Sequence, residues 1–306
     1  MNTLKAKSHL LTSVTSINTK WDKSLSYRCI SRYLKCPKSF YKQLRKRDER
    51  GTEFSEVLGE TVHEAVTHTT EEGQEKAIER FVPSIPAGEK RAEFVKVAKD
   101  YIKTAVRLRT PGIVEQWKER KLKVRLEGTD FVLVSKPDEI NLVKLPNGDE
   151  YLEIVDYKTG RIGASAEDQL FLAGLVVALL ARLSGWVGNI KLVARSLATG
   201  EQQDWNFSRI GMKRDLEQIT AIFEEIEENL VKGIGFDYNV GFNCDKLACR
   251  FDCKKFKQWD RTGRPELEAS ARPRSWRRFI DTRTPAYQRS GFPNRFSSSS
   301  VSHAAA

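Results

Sequence analysis

Apolar residues in the first third of the chain recur at the three- and four-residue spacing of amphipathic helices. The pattern predicts a basic helix, or a pair of short helices broken near Pro37, over residues 31–47. A second helix is predicted over about residues 54–71, and a third over about residues 88–107. This part of the chain is therefore expected to be mainly α-helical.

The apolar period changes to two beyond residue 120, as it does in β-strands. Four short segments rich in β-branched residues are separated by turn signals: "KLKVRLEG", "DFVLVS", "DEINLVK" and "YLEIVDYK". Segments of this kind predict strands joined by tight turns. We expect the four strands to form an antiparallel meander.

A long helix, a hairpin and a final helix are predicted after the meander. The apolar run "LFLAGLVVALLARL", in a helix predicted over about residues 165–183, is shorter than the roughly 20 residues that span a bilayer. It predicts a buried helix. The segments "NIKLVARSL" and "EQQDWNFSR" predict a hairpin across "ATG", and an amphipathic helix follows over about residues 212–231. The order of elements indicates an α/β fold with a mixed central sheet flanked by helices.

Length and composition add a domain plan and a class of partner. The 306 residues suffice for one main domain, expected over residues 24–260, after a flexible segment over residues 1–23. Residues 261–306 are rich in Arg, Pro and Ser and are expected to form a disordered tail. The net charge of +11 suits a polyanion such as nucleic acid. With no apolar signal core at the N-terminus, a soluble intracellular protein without membrane contact is expected.

Two acids and a lysine are expected to share one face of the meander. Asp156 and Lys158 lie two residues apart in a strand, and Asp138 begins the strand before it. Two neighbouring carboxylates repel unless a divalent cation lies between them, and hard Mg²⁺ or Mn²⁺ prefers such oxygens. A lysine beside that metal ion could orient or deprotonate a water molecule, or stabilise developing charge. The alternative is an ordinary cross-strand ion pair on a surface strand.

Two further polar residues have both a functional and a structural interpretation. His63 in "LGETVHEAV" is either a metal ligand that would favour Mn²⁺ or a satisfied histidine of the core. Gln169 in "AEDQLFLAG" opens the long apolar helix, where it could hydrogen-bond a metal-bound water or a phosphate. It could equally be a solvated residue or a cap.

Four of the five cysteines suggest a metal site. Cys244, Cys249 and Cys253 lie within ten residues, and Cys36 precedes a proline more than two hundred residues earlier. Four thiolates of this kind could bind Zn²⁺ or an iron–sulfur cluster and join the two ends of the domain. Otherwise they are scattered free cysteines. Cys29 is expected to be a buried hydrophobic residue.

Five segments occur in a characteristic order: "LSYRCISRYLKCPKSF", "LGETVHEAV", "KPDEI", "EIVDYKTG" and "DQL". Together they resemble the RecB-like nucleases of the PD-(D/E)XK superfamily, which include the stand-alone CRISPR-associated RecB-like exonucleases and the nuclease domain of AddB. The resemblance covers about residues 24–257. It implies a restriction-endonuclease-like core with an N-terminal helical region and a cysteine-stapled C-terminal segment.

The resemblance also implies roles for individual residues. Four groups would bind the metal ion: His63, Asp138, Asp156 and the backbone carbonyl of Tyr157. Lys158 matches the catalytic lysine, and Gln169 matches the glutamine that helps to position that lysine or a water.

The cysteines and one further position are also matched to the family. Four cysteines would hold a 4Fe–4S cluster, with Zn²⁺ as the alternative: Cys36, Cys244, Cys249 and Cys253. Their spacing departs from the family, and Ala173 stands where relatives usually have a tyrosine.

The function that the resemblance implies is Mg²⁺- or Mn²⁺-dependent hydrolysis of DNA, by an exonuclease that acts on single strands or ends in repair or recombination. Eight residues are expected to track the DNA backbone and stack its bases: Tyr33, Lys35, Lys38, Phe40, Lys42, Arg45, Lys46 and Arg47. The alternative is a solvated helix face. No GxxxxGK[ST] loop occurs, so a helicase or recombination protein is a possible partner. Rival functions are a catalytically idle DNA-binding or scaffold subunit and a zinc-stapled nucleic-acid binder.

Overall fold

The computed structural model describes residues 23–45, 59–66, 73–81, 91–127, 129–183, 188–232, 253, 257–258, 261, 275–278 and 280. Its first third contains one short strand and five helices: β1 (Ser24–Ser26), α1 (Tyr27–Lys35), α2 (Pro37–Arg45), α3 (residues 59–66), α4 (Gln74–Phe81) and α5 (Arg91–Arg107). The predicted break near Pro37 is confirmed. Much of the helix predicted over residues 54–71 lies outside the described residues, and its described part is helical.

The rest of the domain alternates strands with two long helices. In chain order these elements are β2 (Ile113–Lys118), β3 (Leu122–Arg125), β4 (Val132–Ser135), β5 (Glu139–Lys144), β6 (Glu150–Lys158), α6 (Ala164–Leu183), β7 (Asn189–Ser196), β8 (Gln202–Phe207) and α7 (Arg209–Lys232). A short 3₁₀ helix follows at Trp276–Arg278. The predicted α/β class is confirmed.

The larger sheet has five strands in the order β2-β5-β6-β7-β8. Strands β5 and β6 pair antiparallel, as do β7 and β8, whereas β6 and β7 are parallel. Parallel neighbours need a long crossover, which here is α6. The hairpin predicted across "ATG" is the β7–β8 pair, and the sheet is mixed as expected.

The predicted single meander is wrong, because its four strands divide between two sheets. Strands β3 and β4 pair with each other in a smaller sheet, where β1 adds in parallel to β4. Strands β5 and β6 belong to the larger sheet, whose edge strand β2 was not predicted. The link between β4 and β5 contains Pro137, which has no backbone N–H with which to continue a ladder.

Helix α6 packs between the two sheets. It contacts β6 and β7 of the larger sheet and β3 and β4 of the smaller one. Among the described residues it is the one helix long and apolar enough to cross a bilayer, but most of that stretch is buried inside the protein. The prediction of a buried helix is therefore confirmed. An apolar sequence on all sides is what a helix buried on both faces requires.

Residues 275–278 and 280 lie in a segment that the sequence predicts to be disordered, and there the prediction is wrong. Trp276 is fully buried in the main core, where its 3₁₀ helix packs against α7 and α1. Its indole Nε1 donates a hydrogen bond of 2.9 Å to the backbone oxygen of Asp168 in α6. Composition predicted disorder from the average of the segment. The described residues are held by the buried indole of Trp276 and by hydrogen bonds from Ser275 to Asp168 and from the backbone N–H of Ile280 to Gln218.

Candidate active site

The two candidate carboxylates lie side by side at one end of the larger sheet. The register of β5 and β6 pairs Glu139 with Val155, which places Asp138 opposite Asp156. Oδ2 of Asp138 accepts a hydrogen bond of 2.6 Å from the backbone N–H of Tyr157. The sequence analysis expected the hairpin to bring the two acids together, and the structure does so.

Asp156, Lys158 and Gln169 form a closed triangle of polar contacts. Nε2 of Gln169 donates to Oδ1 of Asp156 at 2.7 Å, and Nζ of Lys158 donates to Oε1 of Gln169 at 2.9 Å. Nζ of Lys158 also lies 2.6 Å from Oδ2 of Asp156. Gln169 reaches the pair because the first turns of α6 follow β6 directly. It is therefore neither a cap nor a solvated residue.

Burial makes the Asp156 carboxylate unusually easy to protonate. Loss of solvent, together with the neighbouring charge of Asp138, raises its pKa to about 6, although Lys158 and His63 pull the pKa down. A carboxyl group buried beside another acid and a lysine is an arrangement typical of functional sites. Asp156 is buried and lies on the central strand of the larger sheet, which is not the ordinary surface strand of the alternative interpretation.

His63 lies against Asp138. It lies on α3, where Val62, Ala65 and Val66 are buried while its own imidazole is partly exposed. Nδ1 of His63 is 3.1 Å from Oδ1 of Asp138. Burial alone would lower the pKa of His63, but the Asp138 carboxylate raises it above its usual value. His63 faces the Asp138 carboxylate, and its role as a metal ligand stays a prediction.

The chemistry of these donors fits a hard divalent cation. The N–H and C=O of a strand residue face the same neighbouring strand, so the carbonyl of Tyr157 points to the side of Asp138. Oδ2 of Asp156 is buried and, apart from its ion pair with Lys158, receives no hydrogen bond. Two carboxylates, a carbonyl and an imidazole are ligands that Mn²⁺ and Mg²⁺ accept. Within the described ranges, however, no three His, Cys, Asp or Glu side chains already stand in a metal-binding arrangement.

The opposite face of the same strands carries a buried polar network that the sequence analysis missed. Arg195 and Glu153 are fully buried and form an ion pair of 3.3 Å. Nη2 of Arg195 donates to Oγ1 of Thr110 at 2.6 Å, and Nη1 donates to the hydroxyl of Tyr157 at 3.4 Å. The sequence did contain a signal for this network. Glu153 in "LEIV" and Arg195 in "LVARS" are each a charged residue in an otherwise apolar strand. The network fixes the strand segment from which Asp156 and Lys158 project.

Two of the residues predicted to bind DNA are core residues, so that part of the prediction is wrong. Tyr33 is 0% exposed and Phe40 is 1% exposed, and their rings pack edge to face. The hydroxyl of Tyr33 donates to Glu225 of α7. An amphipathic helix presents its aromatic residues to the core more often than to a ligand.

For the basic residues of the same stretch, the DNA-binding role stays a prediction. Lys35 is exposed, and Lys38 is partly exposed with its Nζ 5.6 Å from the ring centre of Tyr41. Lys42 and Arg45 lie on α2. Lys46 and Arg47 lie outside the described residues.

The predicted cysteine site is described only in part. Cys36 and Cys253 are both buried, whereas Cys244 and Cys249 lie outside the described residues. Cys29 is half-buried against the core, and its Sγ accepts a contact of 3.4 Å from the hydroxyl of Ser26. The four-cysteine cluster stays a prediction.

The family model of the PD-(D/E)XK nuclease superfamily matches residues 24–254. The chain belongs to this superfamily. The matched residues include every element that forms the site and both long helices. Nucleases of the superfamily typically use Mg²⁺ or Mn²⁺, in keeping with the donors gathered around Asp156.

Two solved structures are similar to this nuclease at low sequence identity. A crystal structure named "Putative exonuclease", from Eubacterium rectale, is 14% identical, with a TM-score of 0.47 over 88% of this chain and 93% of that chain. The structure of SSO0001 is 11% identical, with a TM-score of 0.30 over 74% of this chain and 96% of that chain. No curated protein matches the chain.

Proposed function

We propose that this nuclease is a deoxyribonuclease that uses Mg²⁺ or Mn²⁺ to hydrolyse phosphodiester bonds, as an exonuclease on single-stranded DNA or on DNA ends. The observation that carries the proposal is the triangle of Asp156, Lys158 and Gln169, with Asp138 and His63 against it. A bound divalent ion would neutralise charge on the phosphate and lower the pKa of a water molecule.

The residues of the chain have separate tasks in this reaction. Asp138, Asp156, His63 and the Tyr157 carbonyl would hold the ion. Lys158 is a cation fixed by Gln169, and it would stabilise the negative charge that develops on the phosphate oxygens as water attacks phosphorus. The phosphorus–oxygen ester bond then breaks, the attacking water releases one proton to solvent, and the leaving oxygen takes up one proton from solvent.

The surface that guides the DNA is proposed to lie on α1 and α2. Lys35 and Lys38 have exposed or partly exposed side chains there, and Lys42 and Arg45 follow on the same helix as Lys38. Contacts between such residues and phosphates are electrostatic and independent of sequence, which suits an enzyme that degrades a strand progressively.

We further propose that four cysteines hold a 4Fe–4S cluster: Cys36, Cys244, Cys249 and Cys253. Burial of Cys36 and Cys253 supports this, because a thiolate cluster needs cysteines away from bulk solvent. The cluster would join α2 to the C-terminal part of the domain. Zn²⁺ in the same site would serve the same structural purpose.

End-labelled single- and double-stranded DNA in Mn²⁺ or Mg²⁺ tests the activity. We expect the wild type to shorten the DNA, and Lys158→Ala and Asp156→Ala to abolish cutting. Lys144→Ala is the matched control, because Lys144 is exposed at the other end of β5. If the folded wild type binds DNA but cuts neither substrate in either metal, the protein is a DNA-binding subunit instead.

A further inference from the structure

A cavity of about 200 Å³ opens directly beside the catalytic carboxylate. Its inner end is formed by Asp156 and Gln169, and its outer walls include Tyr27 and Arg28 of α1 and Lys136 of the β4–β5 link. We name it the Arg28 cavity. Its volume is below the roughly 300 Å³ at which sites for whole small molecules begin. It therefore suits one group of a larger substrate.

The outer end of the Arg28 cavity carries an uncompensated positive charge. Arg28 is exposed, and within the described part of the chain it makes no ion pair or hydrogen bond. Lys136 lies across from it, but its charge is partly met by Glu119 at 2.5 Å. Arg28 is accordingly the cation of this cavity that is ready for a ligand.

The start of α1 adds further positive potential at the same place. The first turn of α1 contains no acidic residue, and the side chain of its N-cap, Ser26, makes no capping hydrogen bond. Backbone N–H groups at such a helix start carry partial positive charge that favours anions. The helix start alone would not define a site. Here it coincides with a guanidinium group and with a cavity lined by Asp156, whose buried Oδ2 has only its ion pair with Lys158.

Tyr27 gives the cavity a fixed wall. It is half-buried and hydrogen-bonds with Ser31 of its own helix and with Ser165 of α6. The ring therefore bridges α1 and the helix that carries Gln169. Because Tyr27 ties the two helices together, the backbone position from which Arg28 projects is held relative to α6 by packing rather than by a flexible loop.

We propose that the Arg28 cavity binds the phosphate that neighbours the scissile phosphate on the same nucleic-acid strand, with Arg28 as its main cation. This rests on the proposed nuclease function, since a strand that presents one phosphate at Asp156 must place the next one close by. The carboxylate of Asp156 makes the inner end negative, and Arg28 makes the outer end positive. The scissile phosphate would therefore react at the inner end, while the neighbouring phosphate binds at the outer end. A guanidinium can grip a phosphate through two parallel hydrogen bonds, which a lysine cannot do.

Binding of a fluorescein-labelled single-stranded oligonucleotide, measured by anisotropy in EDTA so that no cutting occurs, tests the proposal. We expect Arg28→Ala to raise the Kd about tenfold and to lower the slope of log K against log salt by about 0.7, the loss of one phosphate contact. Arg28→Lys should recover part of the affinity. Lys144→Ala, which removes an equal charge far from the cavity, should leave both quantities unchanged.

A single uncharged methylphosphonate, scanned along the oligonucleotide, locates the contact. At one linkage the neutral group should weaken wild-type binding about as much as Arg28→Ala does, and the two changes together should cost no more than either alone. Equal Kd values for wild type and Arg28→Ala would overturn the proposal, as would full additivity at every linkage.

Failure of the cavity assignment and failure of the nuclease function give different results. If the wild type cuts DNA and Arg28→Ala binds and cuts normally, the cavity assignment fails while the nuclease function stands. If the wild type cuts nothing but Arg28→Ala still loses one phosphate contact, the nuclease function fails and the Arg28 cavity stands only as a site for a backbone phosphate. Thermal unfolding of each variant confirms that the exposed substitution leaves the fold intact.

Discussion

Gln169 donates a hydrogen bond of 2.7 Å from Nε2 to Oδ1 of Asp156, across the gap between α6 and β6. Its other amide atom, Oε1, accepts from Lys158 at 2.9 Å. The amide of Gln169 therefore orients both the Asp156 carboxylate and the Lys158 ammonium group. Such a partner acts through the residues it orients, and loss of an orienting partner typically costs 10- to 100-fold, that is, about 1.4 to 2.7 kcal/mol.

Gln169→Ala is therefore expected to lower kcat by about 10- to 100-fold with little change in KM, because the substrate still binds but Lys158 is no longer fixed. Single-turnover digestion of end-labelled DNA measures the rate of cutting separately from the binding of the substrate. Gln203→Ala, on the exposed part of β8, is the control and should behave as the wild type. A rise in KM alone would show that Gln169 contacts the substrate instead.

Metal binding should strengthen as the pH rises through the pKa of Asp156. Burial raises that pKa from 3.8 to about 6, so the metal-free fold gains stability from this group at low pH and loses it as the pH rises through 6. A cation needs the ionised carboxylate and competes with the proton. We expect Mn²⁺ to raise Tm clearly at pH 7.5 and little at pH 5.

The matched variant for that experiment is Asp156→Asn, which keeps the shape and removes the titrating group. Its Tm should respond weakly to Mn²⁺ at both pH values. An equal Mn²⁺ response in wild type and Asp156→Asn would place the ion elsewhere.

Trp276→Ala should destabilise the domain by about 3–5 kcal/mol, the usual cost of deleting a large buried aromatic side chain. The indole fills the core between α7 and α1 and hydrogen-bonds to α6. Urea unfolding measures the change. Ile210→Ala removes a side chain that is 93% exposed and should change stability by less than about 0.5 kcal/mol. A wild-type unfolding midpoint for Trp276→Ala would show that the segment is dispensable.

Arg195→Ala should also cost about 3–5 kcal/mol, because it leaves Glu153 charged and buried without its partner. The double variant Arg195→Met with Glu153→Leu removes both charges and should recover much of the lost stability. The urea unfolding midpoints of the wild type, Arg195→Ala and the double variant measure these changes in stability. If the single variant is as stable as the wild type, water must reach Glu153 in place of the guanidinium.

The cysteine proposal is tested by the colour and metal content of protein purified without oxygen. A 4Fe–4S cluster should give a brown protein with broad absorbance near 400 nm, and Cys36→Ala should lose both iron and colour. Cys29→Ala is the control, since Cys29 was not placed in the cluster. Colourless protein with one zinc would assign Zn²⁺, and metal-free protein would overturn the site.

Much of this site could be predicted from the sequence because its geometry is local. Asp156 and Lys158 share a strand face by simple alternation, and the short turn after β5 was enough to bring Asp138 beside them. The apolar run in α6 and the stripe in α7 likewise follow from periodicity. Each of these inferences depends on contacts between residues close in the chain.

Other features depended on which surfaces meet, and only the tertiary structure decided them. The pattern of β4 and β5 fits one meander, yet the chain divides at Pro137, and α6 buries its apolar surface between the two sheets. Tyr33 and Phe40 carry the same sequence signal whether they stack on bases or fill a core. The structure buries both of them, with Tyr33 against Glu225 of α7 and the two rings packed on each other. The sequence determined the identity of the reactive groups and their strand face. The three-dimensional packing determined that Gln169 contacts both Asp156 and Lys158, that the Arg28 cavity opens beside Asp156, and that Trp276 is buried in the core. Burial depends on which elements pack together in the whole fold, and no single segment of sequence specifies it.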